Sequence, residues 1–122
     1  MVALIDTNII IRLLVPEDEV LTEKAEDFVR QHKCYITSVV FAETIFVLRS
    51  FYHYPKQKIL LLKYFLDVQQ FEVEDKKLNF QALERYCTTS LGFVDAWLLE
   101  KSKLSKLKLL TLDRKLARAA KS

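Results

Sequence analysis

The chain has 122 residues, of which 51% are hydrophobic and 29% are charged. This composition is typical of a globular protein with a genuine core, so we expect a single domain over residues 1–122. No apolar run is long enough to span a membrane, and the N-terminus lacks the basic start of a signal peptide, so a cytoplasmic protein is expected. The cysteines, Cys34 and Cys87, match no zinc spacing, which predicts core thiols.

Charge is unevenly distributed along the chain. The formal net charge is +3, but residues 101–122 hold eight Lys and Arg and one acid, Asp113. Such asymmetry is found on phosphate-facing surfaces and also on ordinary solvated helix faces. Both interpretations remain open from charge alone.

The chain begins with an apolar run, residues 2–5, that ends at Asp6. A short run of this kind predicts a strand that is buried on both faces of a parallel sheet. Helical patterns follow over about residues 7–14 and from about Thr22 to Gln31, and residues 34–36 form a second predicted strand. Ligands of parallel sheets bind at the carboxyl ends of strands, which is the expected place of Asp6.

The third predicted helix runs from a Ser38 cap to about Phe51 and is apolar nearly all round. This pattern predicts a buried helix. Glu43 is the one charge in its middle, and a buried carboxylate needs a compensating partner. A metal ion would provide that compensation.

The second half of the chain continues the alternation of helix and strand. Helices are predicted over about residues 55–66, 75–87, 93–99 and 114–120, with Pro55 at the first position of its helix and Asp95 in the first turn of its own. Strands are predicted over 71–73 and 108–111, the latter just before Asp113. Alternating strands and helices predict an α/β fold with a parallel sheet that has helices on both faces.

Four acids occupy positions in this predicted fold that could bring them to one place. Asp6 and Asp113 follow strands, Glu43 interrupts an apolar helix and Asp95 begins another. We expect them to converge at one edge of the sheet, where their mutual repulsion would call for a cation. An all-oxygen site suits Mg²⁺ or Mn²⁺, and the short polar residues Asn8 and Thr111 are suited to hydrogen bonding with its ligands.

The segments around these acids resemble the four motifs of PIN-domain nucleases, in the same order. The matching segments are Asp6-Thr7-Asn8, Val40-Phe41-Ala42-Glu43, Phe93-Val94-Asp95-Ala96 and Thr111-Leu112-Asp113-Arg114. Length and spacing look most like the VapC-type toxins of toxin–antitoxin pairs. The resemblance implies an α/β/α sandwich around a parallel sheet of four or five strands. It also implies Mg²⁺- or Mn²⁺-dependent RNA cleavage with one or two ions, a homodimer and inhibition by a small antitoxin protein.

Carried over by residue, the resemblance makes Asp6, Glu43, Asp95 and Asp113 the metal-binding and catalytic set, with Asn8 and Thr111 in support. We further predict that Arg114 and Arg118 contact RNA, because they lie nearest in sequence to Asp113. Arg12 lies one helical turn beyond Asn8, where an RNA contact and an ordinary surface position both remain open. The expected reaction is in-line attack of water on a phosphodiester, assisted by an acid of the cluster and the metal.

Three alternative functions compete with this one. A phosphatase with Asp6 as nucleophile would want a second Asp two residues later, where Asn8 stands. A non-catalytic RNA- or protein-binding module would be expected to lose some of the acids, and all four are present. A nuclease that acts on single-stranded DNA is not distinguished from a ribonuclease by any local feature of the sequence.

Overall fold

The computed structural model describes residues 2–121 and has a parallel three-stranded sheet in the order β1-β2-β3. The strands are β1 (Val2–Leu4), β2 (Lys33–Ile36) and β3 (Phe71–Val73). In register, Ala3 is opposite Cys34 and Cys34 is opposite Phe71. The helices of the described residues are α1 (Thr7–Leu14), α2 (Glu19–Gln31), α3 (Ser38–Ser50), α4 (Lys56–Ile59), α5 (Leu62–Leu66), α6 (Lys76–Thr88), α7 (Phe93–Ser105) and α8 (Arg114–Ala120). The predicted class, a parallel sheet flanked by helices, is confirmed.

β1 is an edge strand, and one of its faces is exposed, which corrects the expectation that it is buried on both faces. Its only partner among the described residues is β2, and the exposed fractions of Val2 and Leu4 are 50% and 73%. The apolar run predicted the strand, but it could not predict that one side of the strand lacks a neighbour.

The predicted fourth strand over residues 108–111 is irregular, so the described part of the chain forms a sheet of three strands in place of the expected four or five. Leu109 packs against a small cluster formed by Leu91, Leu99 and Leu116. Leu110 is 79% exposed. The Leu109 side chain therefore anchors the segment against α7 and α8, and the segment does not pair with β1.

The predicted helix over 55–66 is divided into α4 and α5, with Pro55 as the N-cap residue of α4. Between them, two backbone hydrogen bonds span three residues in place of the four of an α-helix. The Leu61 N–H donates to the carbonyl of Lys58, and the Lys63 N–H donates to the carbonyl of Leu60. This tighter turn interrupts α-helical hydrogen bonding without a proline or glycine at the junction.

The core lies between the sheet and the inner faces of α1, α3, α6 and α7. Its most deeply buried side chains include Ile10, Ile36, Phe41, Ile45 and Leu83. Cys34 is buried and Cys87 is half-buried; both are free thiols, and burial raises the pKa of each above that of an exposed thiol. The prediction of core thiols is confirmed. In the described part of the chain, no helix combines the length and the apolar character needed to cross a bilayer.

Candidate active site

Asp6 stands at the junction of β1 and α1, as predicted. It is exposed and is the N-cap residue of α1, where its Oδ1 accepts a hydrogen bond of 3.2 Å from the Ile9 N–H. The next residue, Thr7, is buried, and its hydroxyl donates to Oε1 of Glu43 on α3. The strand end that carries Asp6 is thus joined to the helix that carries Glu43 by one short side chain.

Glu43 is exposed, which corrects the expectation of a buried carboxylate that needs a cation. α3 buries the face formed by Phe41, Thr44, Ile45 and Leu48. Its opposite face holds Glu43 together with Val39 and Phe46, which are 77% and 66% exposed. Because that outer face is apolar as well, the sequence of α3 did not reveal which side is buried. The partner of Glu43 is the Thr7 hydroxyl.

Asp113 is the N-cap residue of α8 and is exposed. Its Oδ1 accepts a hydrogen bond of 2.8 Å from the Leu116 N–H, and its own N–H donates to Oγ1 of Thr111 at 3.0 Å. Thr111 therefore supports the backbone of Asp113. Its hydroxyl does not contact the Asp113 carboxylate.

Asp95 is half-buried in the first turn of α7, and a buried polar network anchors that helix. Asn79 of α6 is fully buried, and its Oδ1 accepts from Nε1 of Trp97 at 3.0 Å. Its Nδ2 donates to Oγ of Ser38 and to the carbonyl of Glu74. The three hydrogen bonds of the Asn79 amide connect α7 to α3, to α6 and to the residue that follows β3. They also pair every polar atom of this buried amide.

The four acids stand on packed elements, but the structure does not gather them into one cluster. α1 packs on α3, α3 on α7, and α7 on α8. Within residues 2–121, no group of three or more His, Cys, Asp or Glu side chains lies close enough to hold a metal ion. The predicted donors are all carboxylates, which are the ligands that Mg²⁺ and Mn²⁺ prefer, so the chemistry of the set fits such an ion. Their convergence on a metal remains a prediction.

The predicted RNA-contacting and supporting residues fall in two places. Arg12 and Asn8 line an open cavity beside Asp6, between α1 and α2. Asn8 is exposed, and its side chain has no hydrogen-bond partner among the described residues. Arg114 and Arg118 are exposed on α8, close along the chain to Asp113. Their contact with nucleic acid remains a prediction.

Sequence reasoning missed Thr7, Lys24 and Phe28. Thr7 lies three and four residues before Ile10 and Ile11, which are buried, so helical periodicity could have placed it on the inner face of α1. Lys24 and Phe28 line the cavity beside Asp6. No local pattern of α2 indicates that its exposed face lies next to the strand end.

Comparison with known proteins decides the family. The family model described as the PIN domain matches residues 3–122, nearly the whole chain. The chain belongs to the PIN-domain family. PIN domains are generally nucleases that depend on divalent metal ions, and they bind nucleic acid. No curated protein and no solved structure matches this chain significantly.

Proposed function

We propose that this PIN domain is a Mg²⁺- or Mn²⁺-dependent endoribonuclease and the toxin of a VapBC-type toxin–antitoxin pair. The observation that carries the proposal is the family match over residues 3–122 in a chain that keeps an acid at all four motif positions. Those positions are Asp6, Glu43, Asp95 and Asp113. RNA as the substrate and the toxin role rest on the resemblance of length and motif spacing.

Two features of the structure support the proposal. The Thr7 hydroxyl joins the strand end beside Asp6 to Glu43, so two motifs that are 36 residues apart share one hydrogen bond. Asp113 opens α8 in a segment with eight Lys and Arg between residues 101 and 122. Positive charge near a carboxylate site can attract the phosphate backbone of RNA.

The proposed chemistry is hydrolysis of a phosphodiester. When bound, a divalent cation would stabilise charge on the phosphate and lower the pKa of water. An oxygen of water forms the new bond to phosphorus, and the bond to the leaving ribose oxygen breaks. A carboxylate of the set takes the proton from the attacking water, and the leaving oxygen gains a proton from solvent. Neither His32 nor His53 belongs to a matched motif.

Asp6→Asn is the decisive variant, and Asp18→Asn is its matched control. Asp6 and Asp18 are both exposed N-cap residues whose Oδ1 accepts a backbone N–H three residues later, at 3.2 Å and 3.0 Å. Asparagine caps helices about as well as aspartate, so both variants should fold. They differ in the negative charge that is removed, which lies at the candidate site in Asp6→Asn and at the start of α2 in Asp18→Asn. Purified protein is incubated with total RNA in Mg²⁺, in Mn²⁺ and in EDTA, and cleavage is followed on denaturing gels.

We expect cleavage by the wild type and by Asp18→Asn in either metal, none in EDTA, and a loss of at least about 100-fold in Asp6→Asn. Cleavage that persists in EDTA or in Asp6→Asn would refute the proposed site. A single-stranded DNA of the same sequence, run in parallel, distinguishes a ribonuclease from a nuclease that also accepts DNA.

The toxin role adds a homodimer, a small antitoxin protein and a cytoplasmic location to the proposal. Its test is growth arrest on expression of the wild type but not of Asp6→Asn, and relief of that arrest by co-expression of any short gene found beside the coding sequence. Sedimentation of the purified protein tests the dimer. Cleavage without growth arrest would retain the nuclease and reject the toxin.

A further inference from the structure

An open cavity of about 300 Å³ lies between α1 and α2, with Asp6 on its wall. This volume is at the lower end of ligand pockets in proteins, and it suits a group of the size of one nucleotide. The lining residues are Asp6, Asn8, Ile9, Arg12, Leu21, Lys24, Ala25 and Phe28.

Each helix presents one face to this cavity. The contribution of α2 is Leu21, Lys24, Ala25 and Phe28, which are spaced as one helical stripe. The acids of α2 are absent from the lining: Glu19, Glu23, Glu26 and Asp27. The lining therefore holds two cations and one anion, although α2 as a whole is acidic.

Both cations of the lining are available to a ligand. Neither the Arg12 nor the Lys24 side chain has an ion-pair or hydrogen-bond partner within residues 2–121. Arg30, on another face of α2, is paired with Asp27. Arg12 is half-buried, so part of its position is set by packing before any ligand arrives.

The walls of the cavity are tied to each other. Oγ1 of Thr22 donates to the carbonyl of Arg12 at 3.4 Å, which joins the end of α1 to the start of α2. The Asp18 carboxylate caps the same end of α2 through the Leu21 N–H. A cavity with connected walls can accept a ligand at a lower cost in ordering than a loose surface.

Phe28 gives the cavity an aromatic surface. Its side chain is 49% exposed and is not engaged with another ring among the described residues. Exposed aromatic rings beside cationic groups are the usual means by which proteins hold single-stranded nucleic acid, because every base can stack and every linkage carries a phosphate.

We propose that this cavity is a nucleotide subsite that holds one residue of single-stranded RNA next to Asp6, with the base on Phe28 and the phosphate on Arg12 and Lys24. The inference rests on the proposed function, because Asp6 would be the neighbouring catalytic acid. It adds to that function the residues that hold one nucleotide: the Phe28 ring for the base, and Arg12 with Lys24 for the phosphate.

Binding is measured by fluorescence anisotropy in EDTA, where cleavage is not expected. The probes are a labelled oligoadenylate of about 12 nucleotides and an abasic ribose-phosphate strand of equal length. Phe28→Ala should weaken binding of oligoadenylate about 5- to 100-fold, whereas Phe28→Tyr should retain it. On the abasic strand, wild type and Phe28→Ala should bind equally. Phe51→Ala is the matched control, since Phe51 is 70% exposed and lies outside the cavity.

Arg12→Gln and Lys24→Gln should weaken binding of both strands. Each should also reduce the slope of log affinity against log salt concentration by about 0.7, the value for one phosphate contact on a single strand. Lys33→Gln is the control, because Lys33 lies at the amino end of β2 and pairs with Glu72.

The subsite is refuted if Phe28→Ala binds oligoadenylate as the wild type does, or if its loss is equal on the abasic strand. It is also refuted if Phe28→Ala weakens antitoxin binding while leaving RNA binding intact, which would make the cavity a protein-docking site. Metal-dependent cleavage by the wild type would support the nuclease independently, so failure of the subsite and failure of the proposed function are distinguishable.

Discussion

Two of the four candidate acids are also helix caps. Asp6 caps α1 and Asp113 caps α8, each through one carboxylate oxygen. An aspartate at a helix N-terminus is explained by capping and the helix dipole alone, so its presence does not distinguish structure from catalysis. Substitution by asparagine retains the cap and removes the charge, whereas alanine would mix both effects.

Thr7 should stabilise the link between α1 and α3. Thr7→Val keeps the shape of a side chain that is 7% exposed and removes the hydroxyl that donates to Glu43. We expect the free energy of unfolding to fall by about 1–2 kcal/mol, while Thr7→Ser stays nearer the wild type. Urea unfolding measures both.

A double-mutant cycle separates this bond from other effects of Thr7→Val. With Glu43→Ala as the second change, the combined loss should be smaller than the sum of the single losses, because both remove one interaction. Strictly additive losses would show that the hydroxyl and the carboxylate do not stabilise each other.

The sequence predicted the positions of the candidate acids better than their surroundings. Asp6 and Asp113 stand at the starts of helices, a position that the change from a strand-like to a helical pattern indicates in the sequence. The exposure of Glu43 was unpredictable, because α3 carries apolar residues on its outer face as well as its inner face. Its Thr7 partner depends on how α1 packs on α3, which is a tertiary contact with no local signal.

At the scale of elements, α7 ends at a strained residue. Lys106 follows the helix with φ 56° and ψ 32°, a left-handed conformation that glycine adopts at much lower cost. Its N–H and that of Leu107 both donate to the carbonyl of Ser102, which fixes this conformation.

Lys106→Gly should raise the free energy of unfolding by about 0.5–1 kcal/mol. Lys103→Gly, inside α7, should lower it by about 1 kcal/mol, because glycine weakens a helix interior. Chemical denaturation of the two variants against the wild type gives the comparison. Destabilisation by both substitutions would mean that α7 continues through residue 106.

Elements with a clear local pattern were predicted almost to the residue. The bounds of α1, β3 and α8 agree with the sequence-based expectation, since apolar periodicity and capping residues mark them. The segment 108–111 has equally strong strand character and forms no strand. A strand requires a paired neighbour, and sequence pattern carries no information on whether that neighbour is in reach.

At the scale of the whole molecule, no strand within residues 2–121 pairs with the outer edge of β1, so this edge of the sheet is open there. The Ile5 N–H donates to the carbonyl of Tyr35, so by alternation the Leu4 N–H points away from β2. We expect the Leu4 amide to exchange with deuterium at close to an unprotected rate, and the Ile5 amide far more slowly. Hydrogen exchange followed by NMR measures both.

Equal protection of Leu4 and Ile5 would contradict an open edge. Leu110→Pro then identifies the strand that covers it, because proline at the centre of 108–111 would remove protection from Leu4 only if that segment is paired with β1.

An open sheet edge is a template for any strand with free backbone groups, including one from another copy of the chain. The leucine-rich segment 107–112 belongs to the same molecule, and its Leu110 and Leu112 are exposed. It does not pair with β1, so no strand of the described residues competes for this edge. A strand from a second copy therefore meets β1 unopposed, and higher protein concentration should favour edge-to-edge pairing.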